Sequence, residues 1–212
     1  MRVDASRYIV RANVRKRFEP LEGGEGSSEY RDGIARFVLE HEIVAVRPPF
    51  GIAHEGEYPS VHVAPLLSAL GEDHVVGVLL VRLGGYAVGV FEGERLIASK
   101  VGQRLVHGRH RAGGSSANRF RRRREEQAKA LVEEAAAVAV RVLSPHLARV
   151  EFVALGGDRF ALAKTLAAHR ELAALEQKAL PRFFSVPEPR KRVLDRVIDE
   201  IYSAEVTTEP RG

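Results

Sequence analysis

The sequence predicts a mixed α/β protein in which helices pack on a sheet, and three observations carry that reading. From Val75 three apolar runs, VVGVLLVRL, YAVGVFEG and ERLIASKV, follow one another with only short Gly-containing turns between them, as an antiparallel meander requires. Farther on, Ala128, Leu131, Ala135, Val138 and Val142 recur at alternating spacings of three and four, the period of one helix face. A short apolar run, VEFVAL, then precedes more helical periodicity, so strands and helices alternate in the second half of the chain. With 212 residues, 45% of them hydrophobic, the chain has material for a real core, in one domain or two small ones.

Taken in order, Tyr8 to Val14 is expected to form a short strand, and EGGEGSSEYRDG, from Glu22 to Gly33, a turn or mobile loop. Ile34 to Glu40 reads as a short helix with Ile34, Phe37 and Val38 on one side, and Ile43 to Val46 as a strand stopped by Pro48 and Pro49. The Pro and Gly density from Pro48 to Pro59 argues for an extended connector, and Val63 to Leu70 for a turn or two of helix. The meander follows, its first run apolar on both faces and therefore central. After Val106, HGRHRAGGSSANRFRRRR has no apolar periodicity until Phe120, and the helix beyond it is closed by Ser144-Pro145. Val150 to Leu155 reads as a buried strand, Asp158 as the cap of a helix reaching about Gln177, and Phe183 to Val186 as a final strand. Val193, Leu194, Val197, Ile198 and Ile201 then line one face of a last helix. The expected organisation is an N-terminal region over residues 1–70, small, α/β and partly loop, a main domain over 71–206 and a disordered tail over 207–212.

Composition excludes several classes. Cysteine is absent, which removes disulfide scaffolds, thiolate metal sites and a cysteine nucleophile, and fits a reducing compartment. The start MRVDASRYIVRANVRKRF lacks the apolar core of a signal peptide, and no later stretch has the run of about 18 apolar residues that a membrane span needs, so a cytoplasmic location without membrane contact is expected. Lys+Arg 33 against Asp+Glu 28 gives a net charge of only +5, yet the window Val101 to Arg124 holds eight Arg and no acidic residue. The remainder of the chain is therefore mildly acidic. Basicity is a local device, the electrostatic footprint of a polyanionic partner.

Enzyme templates fail in turn. GGDRFALAKT sits between a strand and a helix as a phosphate loop would, but Ala163 stands where the second glycine should be, and Asp158 as a plain N-cap is the simpler reading. Of the eight histidines only His107 and His110 lie close together, with no carboxylate nearby to complete a metal set. No cofactor is called for. What remains is the segment Arg109 to Arg124. Gly113-Gly114 permits positive φ and close approach of another molecule to the main chain. Arginines flank it on both sides, and the planar guanidinium takes phosphate oxygens bidentately and stacks on exposed bases, which suits RNA. Arg121 to Arg124 at the start of a helix also oppose its macrodipole, a local cost that a polyanion would remove.

The string HGRHRAGG-SSANRFRRRREEQAKAL resembles the Gly-Gly-Gln loop and following helix of archaeal and eukaryotic class-1 peptide-chain release factors. It resembles more closely the bacterial release-factor-like proteins of the actinobacterial and chloroflexi type, related to the yeast peptidyl-tRNA hydrolase of ribosome quality control. The likeness also takes in PPFGIAHEGEY, VAPLLSAL and VLLVRLGGYAVGVFEGERLIASKVGQRLV, from about Pro48 to Leu143. It implies an RNase H-like domain and hydrolysis of the ester joining a nascent peptide to tRNA, with large-subunit ribosomal RNA and the peptidyl-tRNA acceptor end as partners and no DNA. By the same resemblance Gly113, Gly114 and Ser115 would act at the ester, while Arg109, His110, Arg111, Arg119, Arg121, Arg122, Arg123 and Arg124 would contact RNA.

One departure stands out. The family's glutamine belongs at Ser115, or in bacterial relatives near Ala117 or Asn118, and none is present there. Asn118 is the nearest carboxamide, a candidate at the ester or else the N-cap of a helix beginning at Arg119. Two functions therefore stay open: a rescue-type peptidyl-tRNA hydrolase, and a non-catalytic ribosome- or RNA-binding factor that docks through the same loop. A two-metal nuclease is a weaker third, because the strands carry no Asp/Glu set and Glu92 and Glu94 sit in a hairpin turn.

Overall fold

The computed structural model describes residues 6–104 and 115–211. In chain order the elements before the Arg-rich segment are β1 (Arg7–Ile9), α1 (Arg11–Phe18), β2 (Ser27–Arg31), β3 (Ile34–Val38), β4 (Glu42–Arg47), β5 (Gly56–Tyr58), α2 (Ala64–Gly71), β6 (Val75–Arg82), β7 (Gly85–Glu92) and β8 (Arg95–Gln103). After it come α3 (Ser115–Leu143), β9 (Phe152–Gly157), α4 (Arg159–Ala167), α5 (Arg170–Leu175), α6 (Lys191–Ile201) and β10 (Ala204–Pro210). They form two compact units: the described residues of Met1–Glu72 together with those of Ile198–Gly212, and Asp73–Val197.

The first unit is a six-stranded sheet in the order β1-β10-β4-β3-β2-β5, antiparallel at every pairing. Alternate residues face inward: Ser28 and Tyr30, Ala35 and Phe37, Val44 and Val46, Ala204 and Val206 are all buried. Val14 and Phe18 of α1 and Leu66 and Leu70 of α2 close over that face. The Phe18 and Phe37 rings lie 5.0 Å apart, and Tyr30 meets Phe37 edge-on at 6.2 Å.

Four expectations for this unit are corrected. Residues Ile34–Val38 form a strand where a helix was expected, because burial alternates along them with Ala35 and Phe37 inward. The expected loop Glu22 to Gly33 contains β2, whose inward Ser28 passes for loop composition although its hydroxyl donates to the Ser60 carbonyl at 3.0 Å. The expected strand Tyr8 to Val14 ends at Ile9, and α1 takes over so that Val14 and Phe18 reach the core. The region given as a disordered tail, 207–212, runs in β10 through Pro210, paired with β4 from Glu205↔Arg47 to Pro210↔Glu42. Hence the second unit stops at Val197 rather than 206, and β10 completes the first.

The second unit follows the expected plan. Its sheet has the order β8-β7-β6-β9, with β6 antiparallel to β7 and parallel to β9. Three antiparallel strands, a long helix and a parallel fourth strand reproduce the order expected of an RNase H-like core. Every residue from Val76 to Val81 is buried, which explains a run apolar on both faces. Leu79, Val81, Val88 and Val90 meet Leu131, Ala135 and Val138 of α3, Leu162 and Leu166 of α4, and Leu172 and Leu175 of α5. On the opposite face Leu194 of α6 packs so near Gly89 that a Cβ there would sit 3.2 Å from its Cδ1. Two details differ from expectation. The helix from Asp158 breaks after Ala167, where His169 turns extended, and the break lets α5 aim Leu172 and Leu175 into the core. Phe183 to Val186 makes only an isolated bridge, Gly156↔Phe184, since Pro181 and Pro187 flank it and lack donors.

Candidate nucleic-acid interface

The Arg-rich segment is rooted in the second unit at both ends. On the strand side, the Arg104 N–H donates to the Gly84 carbonyl at 3.0 Å and its guanidinium donates to Glu134 Oε2 at 3.0 Å. The Tyr86 hydroxyl donates to the other oxygen of that carboxylate, also at 3.0 Å. A Cβ on Gly102 would fall 2.2 Å from the Tyr86 ring, so only glycine lets the phenol reach α3 there. Burial, and then the bond to Glu134, pushes the Tyr86 phenol up to about 12. The end of β8 is thereby tied to the middle of α3.

The helix itself is long. At 1.5 Å per residue its 29 residues span roughly 44 Å. Its first buried side chain among the described residues is Leu131, so roughly 24 Å of helix precedes the core contacts. Arg119, Arg121, Arg122 and Arg123 are exposed, and Arg124 is half-buried. Successive residues are about 100° apart, so Arg121 to Arg124 surround the helix rather than lining one face. Arg121 lies 3.9 Å from Glu125, an exposed i,i+4 pair worth about 0.5 kcal/mol at most. Among the described residues Arg119, Arg122, Arg123 and Arg124 have no acidic partner. The first turn of α3 carries no acid, but because the helix begins at Ser115, Arg121 to Arg124 lie beyond that turn, and the expected opposition to the macrodipole does not apply to them.

Of the sequence-derived candidates, Arg109, His110, Arg111, Gly113 and Gly114 lie outside the described residues. Ser115 opens α3, and Asn118 lies within its first turn. A helix beginning at Ser115 excludes the cap role expected for Asn118, whose place is inside the helix rather than before it. Asp158 does what its position suggests, accepting the Ala161 N–H at 2.8 Å as an N-cap. Thr165, where a phosphate loop would present a hydroxyl, is buried and donates to the Ala161 carbonyl at 2.9 Å. Glu92 is occupied by Arg95 and Arg149, which hold its carboxyl below the ordinary range. Among the described residues no three His, Asp or Glu side chains cluster so as to hold a metal ion. Sequence reasoning passed over Phe160, which follows Arg159 in α4 and stands 70% exposed. Its exposure follows from the way α4 sits, with Ala161, Leu162, Thr165 and Leu166 filling the buried face, and the sequence carries no separate signal for it.

Residues 74–207 match the family of the Actinobacteria/chloroflexi VLRF1 release factor, and the chain belongs to that family. No curated protein sequence matches it. The archaeal translation termination factor aRF1 is similar over 80% of this chain and 49% of its own, at 16% identity and a TM-score of 0.42, so this chain spans about half its length. Archaeoglobus fulgidus Pelota is similar over 95% of this chain and 68% of its own, at 12% identity and a TM-score of 0.35. Dom34 of S. cerevisiae, a translation termination-like factor involved in RNA quality control pathways, is similar over 93% and 67% at 7% identity and a TM-score of 0.32.

Proposed function

We propose that the protein is a ribosome-associated peptidyl-tRNA hydrolase that cleaves the nascent peptide–tRNA ester in ribosome rescue, acting in the cytoplasm through its Gly113-Gly114 loop. The observation that carries the reading is the family match, which runs through the whole Arg-rich segment and α3. Ester hydrolysis asks little of side chains: a positioned water and oriented donors for the oxyanion that develops as the carbonyl is attacked. The first N–H groups of a helix have no carbonyl within the helix to bond, and in α3 these follow directly after the glycines. Ribosomal RNA would complete the site, with Arg109, His110, Arg111, Arg119 and Arg121 to Arg124 on its phosphates.

A second reading has its own observation. No glutamine occurs from Gly113 to Asn118, and on this reading the protein docks by the same arginines without hydrolysis. Release of labelled peptide from stalled large subunits, run beside cosedimentation with them, separates the two. Release well above the spontaneous rate establishes the hydrolase; binding without release, with release appearing once glutamine replaces Ser115 or Ala117, establishes the docking factor.

A further inference from the structure

A groove of about 480 Å³ runs between α3 and α4 beside the β6–β7 turn. Leu83, Ala128, Val132, Ala161 and Ala168 supply its apolar lining. Two large apolar side chains stand open at it, Phe160 at 70% exposure and Leu83 at 45%. The Lys164 ammonium lies 4.3 Å from the centre of the Phe160 ring. Six charged side chains also line the groove, and their pairing decides its field. Glu125 is held by Arg121 and Glu133 by Lys129 at 3.8 Å, while Asp158 accepts the Ala161 N–H and keeps its charge. Arg124 and Lys164 have no ion-pair partner among the described residues, and Asp158 has no cation partner, so two cations remain against one carboxylate beside an exposed aromatic ring.

Building on the proposed role at RNA, we infer that this groove is a second RNA-binding surface, where an unpaired base stacks on Phe160 while Arg124 and Lys164 take the adjoining phosphates. The chemistry singles out single-stranded RNA. An exposed ring accepts the face of any base, and cations beside it take the backbone, whereas a paired A-form helix keeps its bases stacked within itself. A volume near 480 Å³ falls within the range of roughly 300–1,000 Å³ that holds a group of nucleotide size. Arg124 belongs both to this groove and to the arginine run, so one strand can pass from one to the other. An amphipathic helix would cover the apolar floor but has no flat ring system to lie on the exposed face of Phe160 unless it carries an aromatic residue there.

The test is fluorescence anisotropy of the full chain with labelled oligoadenylate, comparing wild type, Phe160→Ala, Phe160→Trp, Lys164→Gln and a variant with Arg121 to Arg124 changed to Gln. Phe160→Ala is expected to weaken binding at least about fivefold with melting unchanged, and Phe160→Trp to restore it. 4-Thiouridine RNA should crosslink to the peptide carrying Phe160. If Phe160→Ala binds like wild type while the arginine variant loses affinity, the groove is overturned and the arginine reading stands. If an amphipathic peptide, but not RNA, depends on Phe160, the groove takes protein and the inference fails. Absence of RNA binding by the wild type overturns both. Phe160-dependent binding without peptide release upholds the groove and removes only the hydrolase.

Discussion

Ser115 is where the proposed chemistry and the missing glutamine meet. If it acts through its main-chain N–H, Ser115→Ala keeps most peptide release, because alanine offers the same donor at the start of α3. A drop of about tenfold to a thousandfold in the single-turnover rate would assign the role to the hydroxyl instead. Tyr86 gives a second prediction at this scale. Its phenol is raised in the folded protein, so this contribution to stability is full below the ordinary phenol value near 10 and is lost as pH climbs through about 12. The difference in phenolate absorbance between wild type and Tyr86→Phe should show this tyrosine titrating late, while Tyr30, which burial raises further still, is common to both. In Glu134→Gln that transition should move back only partway toward 10, because burial, the larger cause, remains; a full return would give the shift to the carboxylate. The arginines and the Gly-Gly pair can be proposed from the sequence because their chemistry is local. Phe160 cannot, because its exposure depends on which face α4 turns to the sheet.

Arg121 to Arg124 act as one element, a charged collar around α3. Changing all four to glutamine preserves helix propensity and removes four cations, so large-subunit binding should weaken and its log–log salt slope should flatten by up to about 3. Cosedimentation that is unchanged at moderate salt would exclude a docking role for the collar. Elements read from a repeating apolar pattern, the meander and α3, stand close to their expected bounds. Those misread are short and face the core on one side only. In β3 the neighbours Phe37 and Val38 imitated a helix face, although Asp32-Gly33, at φ +53° and +73°, is the two-residue turn of the β2–β3 hairpin. The Asp-Gly pair was the available signal. The start of α3 was missed by four residues, since Ser115 to Asn118 carry no periodicity.

At the scale of the molecule, β10 is the feature no local pattern could reveal. Its polar TTEP stretch is ordered by the ladder to β4, from Thr207↔Ala45 to Pro210↔Glu42, and the residues before it, Ala204 to Val206, pair with β1 as well. Deleting residues 204–210 strips the buried Ala204 and Val206 and leaves the edges of β1 and β4 unpaired. Proteolysis of that variant should degrade residues 6–72 while Asp73–Val197 persists; equal resistance of both would show that β10 is dispensable. The same arrangement reverses the usual schedule of synthesis, in which N-terminal segments settle first. Residues 6–72 leave the ribosome early but lack an inner strand of their sheet until Pro210 has cleared the exit tunnel, whereas Asp73–Val197 has every strand it needs well before. A ribosome arrested with β10 still inside the tunnel should therefore display a protected middle and a protease-sensitive beginning.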